Sequence, residues 1–184
     1  MRPDLDSRLI AVNSPEDVLP VYRNTPIAKV LEYHNLKQPF DQYSKAEVLV
    51  AMCMDNRKHI NLPDNFAFVI RTGGANLRYS EFKVSFSIAI GGIRAIALVA
   101  HTNCGMVNLI SNKEKFVKGL VEASGWDEQS AEDHFFHFAP MFEIGSELDF
   151  VLSETKRLRL RYPKILIAPM LYKVEDNKLY LINE

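Results

Sequence analysis

Four short apolar runs in this chain lack the polar alternation of a half-exposed strand: "EVLVAMC" (47–53), "FAFVIRT" (66–72), "AIALVAHT" (95–102) and "KILIAPMLY" (164–172). A segment that is apolar on both sides must be covered on both sides, as an interior strand of a parallel sheet is. Helical patterns separate these runs. Ser80 can cap a helix in which Phe82, Phe86, Ala89, Ile90 and Ile93 recur at helical spacing, with Gly91-Gly92 weakening its end. Ser146 opens another that carries Leu148, Val151, Leu152, Thr155 and Leu158 and is stopped by Pro163. The final "KLYLINE" follows the turn-like "EDN" and suggests a hairpin with the fourth strand. The expected fold is therefore α/β: a doubly wound, mostly parallel sheet of four strands plus an antiparallel edge strand, with helices on both faces.

Residues 1–44 read as an N-terminal helical arm. Thr25-Pro26 is a cap followed by proline at the first helical position, and Ile27, Val30 and Leu31 form a short apolar stripe. Such an arm must pack on the main body or on another subunit. No repeat, low-complexity tract or linker interrupts the rest, so residues 1–184 are expected to form a single domain.

The net charge of -1 excludes the strongly basic footprint of a nucleic-acid binder. The densest positive cluster, "KRLRLR" (156–161), reads as a solvated last helical turn that complements the helix dipole. No apolar run approaches the roughly 18–20 residues that cross a bilayer, and the N-terminus is too acidic and interrupted for a signal peptide, so a cytoplasmic location without membrane contact is expected. The two cysteines, Cys53 and Cys104, exclude a disulfide-rich scaffold but permit one bridge.

Right-handed crossovers would set the carboxyl ends of the parallel strands along one rim, where ligands bind. There the first strand ends in Cys53, Asp55 and Arg57, which project to one side if the chain stays extended. The third supplies His101 and Cys104 from "HTNCGM", and the second ends in "RTGGAN", where Gly73 and Gly74 let backbone come close. Two cysteines and a histidine make a three-ligand zinc set with the fourth tetrahedral position open, as in catalytic sites. A Cys53–Cys104 disulfide, or two inert thiols, would leave the gathering of Asp55, Arg57 and His101 at the same rim unexplained. His59 reads as an exposed loop histidine, and Asp133, His134 and His137, interleaved with phenylalanines, as an amphipathic helix instead of a second metal site. Trp126 reads as packing.

"CMDNR", "RTGG" and "HTNCGM" at this spacing resemble the β-class carbonic anhydrases, whose hallmarks are Cys-x-Asp-Ser/Ala-Arg, Arg-Asn-Ala-Gly and His-x-x-Cys-Gly. The likeness runs best from about Glu47 to Val107 and resumes from about Glu147. It implies one Zn2+ per subunit on Cys53, His101 and Cys104, an Asp55–Arg57 catalytic dyad, and a pocket with Gly73, Gly74 and Gly105. It also implies a homodimer or homotetramer, with the N-terminal arm laid over the partner. The implied activity is reversible hydration of CO2 to bicarbonate and a proton by zinc-held hydroxide that the dyad orients. Asn56, Thr72 and Ala75 depart from the family pattern. Hydrolysis of carbonyl sulfide or carbon disulfide, or a catalytically silent zinc-binding role, therefore stands as the alternative. A nucleotide-binding Rossmann fold is disfavoured, because "RTGGAN" lacks Gly-x-Gly-x-x-Gly spacing.

Overall fold

The structure, a computed structural model, describes residues 7–184; the first six residues of the expected arm lie outside them. All four apolar runs are strands: β2 (Val48–Cys53), β3 (Ala67–Thr72), β4 (Ala95–His101) and β5 (Leu166–Lys173). The predicted hairpin strand is β6 (Lys178–Ile182). With Leu9–Ala11 as β1, the sheet order is β1-β6-β5-β4-β2-β3, with β3, β2, β4 and β5 parallel and β6 antiparallel to β5. One strand was not foreseen. Leu9–Ala11 (β1) adds antiparallel to β6 in the register Leu9↔Ile182, so β6 is interior and the arm supplies the edge.

Both faces of the central strands are covered, as the missing alternation requires. Val48, Val50, Met52, Ala95, Ala97 and Val99 meet α1 (Pro26–His34) through Ile27, Val30 and Leu31. Leu49, Ala51, Ile96 and Leu98 meet α2 (Glu81–Ala89) and α5 (Glu147–Arg161) through Val84, Leu148, Val151 and Leu158. Thr25 caps α1 by accepting from Ile27 N, and Ser146 caps α5 by accepting from Asp149 N. The arm thus buries its apolar stripe on its own sheet.

Two features differ from the sequence reading. The basic end of α5 is paired and not merely solvated: Arg157 holds the fully buried Glu154 and reaches Glu81, while Arg159 holds Glu184. In α2, the face of Val84 and Ser87 turns inward, and Phe82 (80% exposed), Phe86 (48%) and Ile90 (73%) turn outward. Ser80 precedes this helix without a side-chain cap. The outward stripe continues onto the edge strand through Phe68 and Val69, and the Phe68 ring lies so close to Gly91 that a Cβ there would sit 2.4 Å from it.

Between β4 and α5, α3 (Lys113–Ser124) and α4 (Glu128–Phe142) form a helical hairpin. His134 sits among Phe116, Trp126 and Phe138, on a helix that buries Phe135 and leaves Phe136 and Phe138 exposed, the mixed amphipathic pattern expected of that stretch. His59 is exposed. Among the described residues no helix is long and apolar enough to cross a membrane.

Candidate metal centre

From β2 the chain passes to β3 on one side and then returns to β4 on the other. The carboxyl ends of β2 and β4 therefore flank the point where strand order reverses, the place where open α/β sheets hold ligands. Cys53 is the last residue of β2 and His101 the last of β4. Cys104 follows a tight turn in which Asn103 takes a left-handed φ of 56°.

The ligand atoms of Cys53, His101 and Cys104 all lie within 4.8 Å of one another, and all three residues are buried. Donors around a tetrahedral zinc stand about 3.5–4 Å apart, so only a small contraction is needed. His101 Nδ1 is 2.9 Å from the carbonyl of Thr102, the partner that fixes the tautomer with its proton on Nδ1. Its Nε2 is buried without a hydrogen-bond partner, so its lone pair is free. Both cysteines are free thiols, which removes the disulfide alternative. The hydrogen bond from Cys104 holds the Cys53 thiol far below its ordinary pKa, and the same bond together with burial drives Cys104 upward. Two buried sulfurs this close carry two negative charges only with a cation between them. The donor set fits zinc.

Asp55 lies outside the triad, with its Oδ2 3.9 Å from His101 Nε2. Arg57 holds it there: Nη2 donates to Oδ2 at 2.6 Å, Nε donates to Oδ1 at 3.0 Å, and the Arg57 backbone N–H donates to Oδ1 at 2.9 Å. These bonds keep the Asp55 carboxyl well below the usual carboxylate range, against the opposing effect of burial. Asp55 and Arg57 thus form a fork-shaped ion pair beside the triad.

Gly73 and Gly74 form a buried turn against Met106, Phe142 and Ile144. Gly74 has φ 63°, with Ile144 Cγ2 3.3 Å from where its Cβ would be, so only glycine sits there without strain. Gly105 is exposed and a Cβ there would meet nothing within 4 Å. Ile144, Met106, Val107 and Phe150 pack around the two sulfurs as an apolar wall.

Sequence reasoning missed three groups that brace the ligand loops. Lys58, only 2% exposed, donates to the Cys53 carbonyl at 3.0 Å, and burial lowers its pKa. Arg71 donates to the carbonyl of Lys58 at 3.2 Å and approaches those of Cys53 and Asp55. Glu147, at the start of α5, accepts from the Cys104 backbone N–H at 3.3 Å. Arg71 was within reach as the first letter of the "RTGG" turn; Lys58 and Glu147 carry no pattern that spacing reveals.

No family model and no curated protein matches the sequence. Solved structures do. The β-carbonic anhydrase isoform I of Trichomonas vaginalis superposes with a TM-score of 0.62 at 19% identity, over 80% of this chain and 90% of that one. A carbonic anhydrase from Streptococcus mutans gives 0.58 at 20% identity, over 90% and 99%. The apo form of a carbon disulfide hydrolase gives 0.53 at 23% identity, over 74% and 78%. This chain has the fold of the β-carbonic anhydrases.

Proposed function

We propose that this protein is a zinc-dependent carbonic anhydrase that interconverts CO2 and bicarbonate. The observation that carries this reading is the convergence of Cys53, His101 and Cys104 within 4.8 Å, beside a carboxylate that Arg57 holds ionised. Zinc bound by these three residues would supply a nucleophilic hydroxide near neutral pH, an effect for which carbonic anhydrases are themselves the standard illustration.

The chain's own groups do the rest. Asp55 accepts a hydrogen bond from the attacking oxygen and so aims a lone pair at the carbon of CO2. Arg57 keeps that carboxylate charged and turned toward the site, and away from the ligand position it would otherwise fill. Ile144, Met106, Val107 and Phe150 offer an apolar surface to an apolar gas and limit the water around it. The proton released on hydration passes to solvent at the exposed Arg57 side of the rim.

Carbon disulfide or carbonyl sulfide is the second substrate class, favoured by the likeness to a carbon disulfide hydrolase and by the departures at Asn56 and Thr72. A homodimer or homotetramer is part of the proposal, supported by the outward apolar stripe of α2 and β3. Metal analysis with stopped-flow hydration across pH, and parallel assays with each sulfur gas, tests the assignment. Zinc at one per chain with CO2 turnover at alkaline pH is expected. Stoichiometric zinc with turnover of a sulfur gas alone would replace the substrate, and no zinc binding would remove the proposal.

A further inference from the structure

We infer that Glu175, in the turn between β5 and β6, is a positioning residue for the Asp55–Arg57 dyad; this rests on the activity proposed above. Its two carboxylate oxygens take separate donors from the ligand loop. Oε2 accepts from the Thr102 hydroxyl at 2.7 Å and Oε1 from the Asn103 side-chain amide at 2.7 Å. Thr102 is held from the hairpin side as well: its Oγ1 accepts from Val174 N at 3.0 Å, and its own N–H donates to the Tyr172 carbonyl at 3.1 Å.

This clamp leads to the dyad through one residue. Asn103 sits in the left-handed region, φ 56°, which asparagine adopts more readily than most residues because its short side chain can hydrogen-bond locally. In that conformation its carbonyl accepts from Arg57 Nη2 at 2.8 Å. The same Nη2 donates to Asp55 Oδ2 at 2.6 Å, so the guanidinium is suspended between the loop and the carboxylate. Without the Asn103 anchor, Arg57 is tethered to Asp55 alone, and the two can turn together away from the triad.

Glu175 is exposed, and both of these bonds leave the hairpin for the loop beside the metal. The β5–β6 pairing is made by backbone ladder contacts from Met170↔Leu181 to Lys173↔Lys178 and does not need the carboxylate. A purely structural brace for the hairpin would bond within it. Charge-assisted acceptance from two neighbouring side chains is what fixes a short loop in one conformation. Glu175 touches neither ligands nor reacting atoms, so it acts through Asn103 and Arg57.

The test compares the full-length protein with its Glu175→Ala variant by two measurements. The first is the exchange of the Arg57 Nη2 protons with water, followed by NMR of the guanidinium on zinc-free and zinc-loaded protein. The second is kcat and KM for CO2 hydration. In Glu175→Ala the Arg57 Nη2 protons, which lose the Asn103 carbonyl, are expected to exchange about tenfold faster in both forms, and kcat to fall about tenfold or more at unchanged KM and zinc content. Unchanged Arg57 exchange overturns the clamp whatever the rate does. Because that signal is read without zinc or substrate, absence of turnover in the parent protein would refute the proposed activity and leave the clamp to be decided separately.

Discussion

Removing the Asp55 carboxylate separates catalysis from structure more cleanly than any other single change here. Asp55→Ala deletes four acceptor contacts, three from the Arg57 side chain at 2.6–3.1 Å and one from its backbone N–H. The pair lies at the rim, and the Arg57 side chain is 45% exposed. An ion pair of that exposure contributes up to about 1 kcal/mol to stability, after the opposing costs of desolvation and side-chain ordering. For a chain of this length that is a Tm shift of about 2–4 °C. Zinc content should not change, because Asp55 is not in the triad. The rate should fall by about a hundredfold to ten-thousandfold, the usual loss when a positioned acid–base group is removed. The assays are stopped-flow CO2 hydration with a pH indicator, zinc quantitation and thermal unfolding on the same preparation. Activity within about threefold of the parent at full zinc content would mean that the carboxylate aims nothing, and the mechanism above would fail.

Activity should rise toward alkaline pH, since two thiolates offset more of the cation's charge than imidazoles do and Asp55 is already ionised; a profile flat through the neutral range would contradict this. His34 is buried, with Nε2 3.0 Å from the Asn177 carbonyl and Nδ1 accepting from Asn61 N–H, and burial lowers its pKa to about 4. Folding therefore favours the neutral ring, and the associated stability is present above the unfolded value near 6.5 and lost as pH falls toward 4. The loss should reach on the order of 3 kcal/mol and be absent in His34→Gln, as urea titrations at successive pH values would show. Leu158→Ala, at a fully buried contact between α5 and the sheet, should cost about 2–5 kcal/mol in the same experiment, and a smaller loss would mean that the sheet collapses onto the gap. Phe82→Asp with Phe86→Asp should shift the mass found by light scattering from an oligomer to a monomer; a monomeric parent protein would refute the assembly reading.

Much of the fold was legible because burial on both sides of a strand erases the polar alternation that solvent would impose. The same logic reached the site, since residues that end adjacent parallel strands must share a rim, and Cys53 and His101 do. The unread parts depended on placement, not pattern. Leu9–Ala11 is too short for any periodicity, and it becomes a strand because β6 offers an open edge. The periodicity of Phe82, Phe86 and Ile90 identified a helix but not which way it faces, and the sheet took the smaller Val84–Ser87 side. Glu175 lies 71 positions after Cys104 (175 − 104) and reaches the loop only because the β5–β6 turn ends level with it.

The route by which a metal would enter and leave follows from where its three candidate ligands are rooted. Cys53 and His101 close β2 and β4, neighbours in the middle of the sheet, whose backbone lets go only when the whole molecule does. Cys104 hangs on a five-residue span between His101 and Val107 that belongs to no strand and is held mainly by the side-chain bonds of Glu147, Glu175 and Arg57. Capture of zinc by a chelator should then track the fluctuation of that span, with a rate nearly indifferent to denaturant until the unfolding transition begins.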